Sequence, residues 1–237
     1  ASDVYKRQQV LLHRLLSDAH VRPRAQAALT RYDTRFVHAP AHHAALSALQ
    51  DRHAALAPTV RLVRRWFGAQ LLLGHVGPET LDLLCAAVFL TNAHAVPATG
   101  LHGFVRVLTL LAHWDWREMP LLLPLENATR LAHQRKAALS DGGVSALPSE
   151  RAPTFPAAQR ADAEQHFRAM RARDPAYRHY TWVVATEHDT DAKAWMHAAP
   201  SAMVADGVRQ LARRAVLALE HDALHAMPAL FAPAYDA

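Results

Sequence analysis

The sequence has little cysteine, little glycine and no long apolar run. Cys85 is the single cysteine among 237 residues, which excludes an internal disulfide and is typical of a reducing compartment. Only 8 residues are glycine, whereas alanine is abundant, and this bias favours helices. No run of about 18 apolar residues occurs, so we expect no membrane-spanning helix. We also expect no secretory signal, because the apolar stretch 10–16 is short and contains His13 and Arg14.

The composition is that of a basic globular protein. Hydrophobic residues make up 51% of the chain and charged residues 20%, a balance that allows a buried core. The length predicts one or two domains. The net charge of +5 and the pI near 9.8 come mostly from arginine. This charge is compatible with a nucleic acid or an acidic protein as partner, but genomic base composition produces the same bias.

The first residues of the chain point to a fragment. The sequence does not start with Met, and residues 2–8, SDVYKRQ, resemble translated sequencing adaptor. We therefore expect residues 1–8 to be non-native and the remainder to be part of a longer protein.

Two helices joined by a tight turn are predicted between Pro58 and Leu90. Proline is tolerated in a first helical turn, and apolar residues then recur at helical spacing on one face. These residues are Leu62, Trp66, Ala69 and Leu73. Gly74, Gly77 and Pro78 break the chain. The second helix is nearly all apolar, which predicts that it is buried.

Periodicity and breaker residues predict the other elements. Helices are predicted over residues 10–20, 42–56, 100–116, 127–139, 157–173 and 200–224. Asn127 is expected to cap the fourth of these. Trp114 and Trp116 cannot both face the core of a regular helix. Extended segments are predicted over 31–39, 119–125 and 180–186, the second at a sheet edge and the third as a strand covered on both faces.

The segment 140–156 is the predicted domain boundary. It is rich in glycine and proline and is long for a connection inside a domain. We predict a helical domain over 9–147 and a small α/β domain over 156–237. The fold class is therefore α+β.

The sequence predicts no catalytic residues. Asp189 and Asp191 have the D-x-D spacing with which nucleotidyltransferases hold two metal ions, and Glu187 is close to them. However, no Gly-Ser pair precedes them, and no strand with a third carboxylate follows. The glycine motifs that bind phosphate and the G-x-S-x-G motif are absent. Cys85 lies in the most apolar helix, where a thiol behaves as a small hydrophobe.

The 17 histidines do not form a clear metal-binding pattern. His38, His42 and His43 cluster, and His221 and His225 have the i, i+4 spacing of a shared helix face. The second pair lacks the glutamate of a zinc-protease motif, and no cysteine pair completes a structural zinc site. We predict solvated or packing histidines, no metal and no cofactor.

Arginines are the candidate RNA contacts, because a guanidinium group binds phosphate with two hydrogen bonds and stacks on bases. One set precedes Trp66, and the other is divided between the helices 157–173 and 200–224. The predicted RNA-binding residues are Arg61, Arg64, Arg65, Arg168, Arg171, Arg213 and Arg214, with Arg173 and Arg209 nearby. The alternative is that these are solvated helix faces and that Trp66 is a core residue. We favour the core for Trp66 and leave the arginines open.

The order of these features resembles the Nrap (nucleolar RNA-associated protein) family. The helix RLVRRW is followed by a Gly-His turn, the apolar helix LDLLCAAVFL, a helix that ends in Trp114-Asp115-Trp116, and the apolar run 119–125. The resemblance covers roughly residues 31–224. It implies a mainly helical unit, similar to the substrate domain of poly(A) polymerase (PAP) and oligoadenylate synthetase (OAS), and a final α/β unit.

The resemblance implies a non-catalytic function. Nrap proteins are large eukaryotic proteins of the small-subunit processome, built from nucleotidyltransferase units that have lost their catalytic carboxylates. We therefore expect a nucleolar scaffold in pre-rRNA processing and ribosome biogenesis, which binds pre-ribosomal RNA and other processome proteins. The resemblance further implies the UTP-C subcomplex, with another processome factor and casein kinase as partners, and a link to tRNA export.

Two other functions stay open. The first is that the chain is the C-terminal part of an active poly(A) polymerase-like nucleotidyltransferase whose catalytic half lies upstream. The second is that the chain is a stand-alone helical adaptor without an RNA role. The upstream sequence tests the first alternative, and a salt titration of RNA binding tests the second.

Overall fold

The structure is a computed structural model that describes residues 21–90, 96–140, 153–195 and 199–232, together with Arg7 and Val10. The helix predicted over 10–20 and most of the predicted boundary 140–156 lie outside the described residues.

Most of the described elements are helices. In chain order they are α1 (Arg22–Asp33), a π-helical turn (Thr34–His38), α2 (Ala39–Arg52), α3 (Leu56–Ala69), α4 (Pro78–Leu90), α5 (Gly100–His113), β1 (Leu121–Leu123), α6 (Leu125–Ser140), α7 (Ala157–Arg173), β2 (Val184–Thr186) and α8 (Ala202–Leu230). The predicted class, a mainly helical α+β fold, is confirmed.

The chain divides into two compact units, residues 1–44 and 45–237. The predicted domains 9–147 and 156–237 stay a prediction. The described contacts instead favour one unit over 45–237, because β1 and β2 lie on opposite sides of the predicted boundary and pair with each other.

In the first unit, the extended segment predicted over 31–39 is wrong. The chain is helical there, because α1 leads directly into the π-helical turn. The rings of Tyr32 and Phe36 lie 5.0 Å apart on successive turns. The guanidinium carbon of Arg35 lies 5.8 Å from the centre of the Phe36 ring. These contacts between helical neighbours favour the helix over the strand preference of the aromatic residues.

The core of the second unit is formed largely by α3, α4, α5 and α8. Trp66 and Phe67 of α3 are 2% and 0% exposed, which confirms Trp66 as a core residue. Every residue of α4 from Leu83 to Leu90 is buried, as its apolar sequence predicted. Removal of this apolar surface from water is the main favourable contribution to folding.

Helices α3 and α5 approach each other closely at two glycines. A Cβ atom at Gly103 would lie 2.0 Å from Thr59 Oγ1, and one at Gly100 would lie 2.6 Å from Pro58 Cβ. Thr59 is fully buried, and its hydroxyl donates a hydrogen bond to the carbonyl of Ala55 at 2.8 Å. The two helix backbones can therefore meet only because these positions lack side chains.

Both tryptophans after α5 are buried. The helix ends at His113, so Trp114 and Trp116 lie in the turn that follows, where the geometric constraint of a regular helix does not apply. The indole N–H of Trp114 donates a hydrogen bond to the carbonyl of Met119 at 2.9 Å. Its ring lies 6.0 Å from that of Trp182, shortly before β2. This turn therefore connects the helical core to the region of the sheet.

Strands β1 and β2 form a parallel pair in which Leu121 is aligned with Val184 and Leu123 with Thr186. Each of the two predicted segments contains one strand, but the strands are only three residues long, and the backbone bends at residues 181 and 182 where a strand was predicted. Pro120 directly precedes β1 and Pro124 directly follows it, as expected for a strand at the edge of a sheet.

The predicted cap at Asn127 is wrong, because α6 begins two residues earlier, at Leu125. The carboxylate of Glu187 instead accepts hydrogen bonds from the backbone N–H groups of Glu126 and Asn127, both at 3.0 Å. Glu187 is 7% exposed. A buried carboxylate distant in sequence thus satisfies two free N–H groups of the helix start, where negative charge is also favoured by the helix dipole.

Helix α8 is longer than predicted. The side chain of Ser201 caps it by accepting a hydrogen bond from the N–H of Val204 at 3.4 Å. The helix was expected to end near 224, but it continues to Leu230 through a kink at Asp222.

Among the described residues, none of the helices is both long enough and apolar enough to cross a membrane.

Candidate nucleic-acid interface

A cleft of about 710 Å³ lies between α7 and residues 117–122, which include the start of β1. Its charged lining has four arginines and two glutamates, namely Arg117, Arg160, Arg168, Arg171, Glu118 and Glu164. Its other lining residues are Met119, Pro120, Leu122, Phe167 and Tyr177. The excess of positive charge makes the cleft a candidate for anion binding.

One face of α7 supplies most of the charged lining. Four of its side chains follow one another at intervals of four, four and three residues, which places them on one side of the helix. They are Arg160, Glu164, Arg168 and Arg171. Phe167, 5% exposed, belongs to a small apolar cluster with residues of β2 and so anchors the helix. The cleft therefore has a wall of fixed orientation.

Arg171 binds the protein backbone. Its Nε donates a hydrogen bond to the carbonyl of Arg117 at 3.0 Å. Its terminal nitrogens donate to the carbonyls of Trp116, Tyr180 and Thr181. Four of its five N–H groups are used in this way. Burial lowers the pKa of Arg171. The contacts give Arg171 a structural role, and its predicted contact with RNA stays a prediction.

Arg117 is a fixed cation on the cleft wall. Its two terminal nitrogens donate hydrogen bonds to the carboxylate of Asp206 at 2.8 and 2.7 Å, a paired geometry that strengthens charged hydrogen bonds. The hydrogen bond with Asp206 raises the pKa of Arg117 and lowers that of Asp206. The guanidinium carbon lies 4.1 Å from the centre of the Trp116 ring. The Arg117 side chain is nevertheless 31% exposed, so a ligand can reach it.

Arg160 and Arg168 form the open rim. The Arg168 side chain is 74% exposed and lies 3.3 Å from Glu164, one turn earlier on α7. An exposed pair of this kind contributes about 0–1 kcal/mol, so Arg168 can exchange it for another anion. Arg160 is exposed and has no ion-pair partner in the part of the chain that the structure describes.

Two of the four cleft arginines, Arg117 and Arg160, are not among the predicted RNA-binding residues. The spacing of Arg160 from Arg168 and Arg171 was an available signal, because all three have the spacing of one helix face. Arg117 carried no such signal, since its position depends on the turn after α5 and on its pairing with Asp206.

The predicted arginines of α3 lie away from the cleft lining. Arg61 is exposed. Arg64 donates hydrogen bonds to both carboxylate oxygens of Asp82, at 2.8 and 2.9 Å, and so connects α3 to α4. The guanidinium carbon of Arg65 lies 5.3 Å from the centre of the Phe231 ring. RNA binding by these residues stays a prediction.

The predicted arginines of α8 also lie outside the cleft lining. Arg213 donates a hydrogen bond from Nε to the carbonyl of Ala112, near the end of α5, at 3.0 Å. Arg214 is exposed. The neighbouring Arg209 lies 3.8 Å from a carboxylate oxygen of Asp115. Their RNA contacts likewise stay a prediction.

The carboxylates of the D-x-D sequence stabilise a turn. Asp189 is 7% exposed, and its two oxygens accept hydrogen bonds from the backbone N–H groups of Lys193 and Ala194, both at 3.0 Å. The Lys193 ammonium donates to Asp191. Burial raises the pKa of Asp189 to about 7. A two-metal centre requires carboxylates that face an open site, whereas these face their own turn.

Other candidate chemical groups have packing or capping contacts. Cys85 is fully buried, and burial raises the pKa of its thiol, which makes it a poor nucleophile. His225 Nδ1 lies 2.7 Å from a carboxylate oxygen of Asp222 at the kink of α8. Within the described residues, no group of three or more His, Cys, Asp and Glu side chains is arranged to hold a metal ion.

A buried aspartate shapes the turn that carries Tyr177. Asp174 accepts hydrogen bonds from the backbone N–H groups of His179, Arg178 and Tyr180, at 2.7, 3.0 and 3.1 Å. These bonds, that from His179 first, lower the pKa of Asp174. Tyr177 has a φ of 53°, a left-handed conformation that is uncommon for a bulky residue. The turn thereby places an aromatic side chain on the cleft wall.

Sequence comparison agrees with this architecture. Residues 53–233 match the sequence model described as Nrap protein PAP/OAS1-like domain 5. The match covers parts of both predicted domains, and it confirms the predicted resemblance to Nrap proteins and to the PAP/OAS fold.

Individual relatives match most of the chain. U3 small nucleolar RNA-associated protein 22 of Schizosaccharomyces pombe is 29% identical over 199 residues, which are 84% of this chain and 16% of that protein. Nucleolar protein 6 of Homo sapiens is 28% identical over 218 residues, which are 91% of this chain and 16% of that protein. The chain thus spans about a sixth of the length of these relatives. With a family match over residues 53–233, on a mainly helical α+β fold, the chain belongs to the Nrap family.

Proposed function

We propose that this chain is a non-catalytic, RNA-binding part of a small-subunit processome protein that acts in pre-rRNA processing and ribosome biogenesis. Its relatives are named as U3 small nucleolar RNA-associated and nucleolar proteins, which supports a role in nucleolar RNA processing. The expected nucleolar location is confirmed at the level of these relatives. Pre-ribosomal RNA and other processome proteins are the proposed partners. Membership of the UTP-C subcomplex, the scaffold role, casein kinase as a partner and the link to tRNA export stay predictions.

The observation that carries the RNA proposal is the arginine-lined cleft. Its four arginines outnumber its two glutamates, and its rim arginines are exposed. Phosphate groups provide the complementary charge, and guanidinium groups bind them with paired hydrogen bonds. Because two of the arginines lie at the rim, RNA can approach without disrupting the contacts of Arg171 inside the wall.

The absence of catalysis is part of the proposal. Asp189 is supported as a structural residue by the hydrogen bonds that both of its oxygens accept from the turn. The rival proposal is an active nucleotidyltransferase whose catalytic half lies upstream. The sequence upstream of Gln9 in the full-length transcript decides between them. An intact Gly-Ser start with three carboxylates would contradict the non-catalytic proposal, whereas tandem units without these residues would support it.

A salt titration tests RNA binding by the 237-residue chain. We expect the binding constant for RNA to fall steeply as salt increases, because phosphate contacts release counterions. The double variant Arg160→Glu/Arg168→Glu should bind more weakly. It should also lower the slope of log K against log salt by about 1.4, since each phosphate contact of single-stranded RNA contributes about 0.7.

A matched variant controls for net charge. Arg24→Glu/Arg31→Glu changes the charge by the same amount at exposed positions of α1, which are neither in the cleft lining nor among the predicted RNA-binding residues. An equal loss of affinity in both double variants would show diffuse attraction and contradict binding in the cleft. No RNA binding at any salt concentration would support the adaptor alternative.

A further inference from the structure

We propose that the cleft holds one unpaired nucleotide of a single-stranded RNA, with its base against the apolar residues and its flanking phosphates at the rim arginines. This inference rests on the proposed RNA-binding function. It adds a ligand class, because it distinguishes single-stranded RNA from duplex RNA at the same site.

The cleft has the size and the surface that a base requires. Its volume of about 710 Å³ is within the range of about 300–1,000 Å³ that is typical of small-molecule sites. Met119 is 57% exposed, and it lines the cleft together with Pro120 and Leu122. An unstacked base would cover this apolar surface and remove it from water.

The cations are arranged in two layers. Arg117 is the inner one, and its position is fixed by the Asp206 carboxylate and the Trp116 ring. Base stacking on guanidinium planes is common in RNA recognition, and a guanidinium group that is already fixed loses little freedom on binding. Arg160 and Arg168 are the outer layer, one on each side of Glu164 along α7. Their exposed side chains can reach the phosphates on both sides of an inserted nucleotide.

The two glutamates favour a nucleotide over an acidic peptide. Glu118 and Glu164 line the cleft with their carboxylates, which accept hydrogen bonds and repel anions. A nucleotide offers hydrogen-bond donors, namely the 2′-hydroxyl and the exocyclic amines of its base, besides its negative phosphate. The carboxylates of an acidic peptide offer only negative charge, and its hydrogen-bond donors are limited to the backbone N–H groups. A cleft that contains both signs of charge and an exposed apolar residue therefore fits a nucleotide better.

The bases of a duplex cannot enter this cleft. In A-form RNA the base edges lie in grooves and the base faces are stacked, so a protein reads the backbone and the shape. In a single strand the bases can turn outward and insert between side chains. Concave geometry with an apolar lining is thus a signal for unpaired RNA.

The test compares three probes on the 237-residue chain by fluorescence anisotropy. They are a single-stranded RNA of about 12 nucleotides, its blunt duplex and an abasic oligonucleotide of the same length. We expect the single strand to bind about tenfold more tightly than the duplex and the abasic probe, because only it inserts a base. Met119→Gln should weaken this preference, because it makes the lining polar, and should leave the affinity for the duplex little changed, because the net charge stays the same.

The outcomes distinguish this inference from the proposed function. Equal affinity for all three probes would overturn base insertion and leave RNA binding intact. No binding of any RNA would overturn both. Stronger displacement of the single strand by polyglutamate than by unlabelled RNA would assign the cleft to an acidic protein and overturn the inference. Thermal denaturation of each variant establishes that a loss of binding is not a loss of folding.

Discussion

Two regions of the second unit differ in how many polar side chains they bury. The helical region of α3, α4 and α5 is held mainly by apolar burial, with Phe67, Leu83 and Phe104 completely inaccessible. The region 174–194, around β2, buries apolar side chains too, but it combines them with buried polar groups. Four of the six buried polar or charged side chains in the described part of the chain lie between Asp174 and Asp189.

This difference indicates how strictly each region constrains its amino-acid sequence. Apolar burial is non-directional and tolerates many sequences of the right volume. A buried carboxylate or guanidinium, in contrast, must find all of its hydrogen-bond partners, because an unsatisfied buried group costs about 1–3 kcal/mol. The region around β2 therefore depends on a few irreplaceable residues. It also supplies Tyr177 to the cleft lining, on a turn that the carboxylate of Asp174 holds by hydrogen bonds.

The largest expected effect is the loss of Arg171. We expect Arg171→Ala to lower the free energy of unfolding by about 3 kcal/mol, because four backbone carbonyls lose their donor. Urea denaturation followed by circular dichroism measures the change. Arg168→Ala, three residues earlier on the exposed face of α7, is the control and should cost less than about 0.5 kcal/mol. Similar losses of unfolding free energy in the two variants would contradict the assignment of a structural role to Arg171 and of an exposed rim position to Arg168.

A smaller effect is expected in the helical region. Gly103→Ala should lower the free energy of unfolding by about 2 kcal/mol, because the new Cβ would overlap Thr59 Oγ1. Thr59→Ala in the same chain should recover part of this loss, which the same denaturation experiment detects.

Gly207→Ala is the control for helix propensity. Gly207 lies in α8, and a Cβ there would meet no atom within 4 Å. We expect this variant to be more stable by up to about 1 kcal/mol, since alanine favours helix. If Gly103→Ala were also stabilising, the close packing of α3 and α5 would not be needed for stability.

The two regions also differ in how their stability depends on pH. Burial raises the pKa of Asp189 from an ordinary value of 3.8 to about 7. Between these values the folded protein binds a proton that the unfolded chain releases, so Asp189 makes stability fall as pH rises from 4 to 7. The slope is at most about 1.4 kcal/mol per pH unit. Asp189→Asn should remove this contribution, measured as the midpoint of urea unfolding at several pH values.

His53, between α2 and α3, gives the stability the opposite dependence on pH. Burial, with a smaller effect of Arg52, lowers the pKa of His53 from 6.5 to about 4. The unfolded chain therefore binds the extra proton between pH 4 and 6.5, and His53 makes stability rise with pH over this range. Asp189→Asn and His53→Gln should change the pH profile in opposite directions. Changes in the same direction would contradict the assignment of either pKa.

The sequence predicted the parts of the fold that follow from local pattern. The apolar run in α4 identified a buried helix, because a helix without a polar face has to be covered on all sides. The apolar stripe predicted in α3 was right at Trp66 but wrong at Leu73, which lies beyond the end of the helix and is 48% exposed. One failure was caused by a partner distant in the chain. The free N–H groups at the start of α6 donate hydrogen bonds to Glu187, and the sequence around Asn127 does not indicate this distant partner. Residues 31–39 failed for another reason, because contacts between neighbouring turns override strand propensity there.

The candidate interface was predictable to a similar extent. Arg168 and Arg171 were identified as basic residues of one helix, and both line the cleft. Their different roles were not predictable, because the partners of Arg171 are backbone carbonyls on separate loops. Arg117 was missed since its neighbour Asp206 is far away in sequence. Spacing identifies a shared helix face, but only the tertiary structure shows which groups on that face are already bound.

The pairing of β1 with β2 has a consequence for synthesis on the ribosome. The two strands are separated by about sixty residues, so at a translation rate of about 5–20 residues per second β1 waits several seconds for its partner. During that time Leu121, Leu122 and Leu123 form an apolar strand with unpaired backbone groups, which is a risk for aggregation. Pro120 and Pro124 flank it and cannot donate hydrogen bonds to a foreign strand. The two prolines thus protect the nascent chain at the stage when its own sheet cannot yet form.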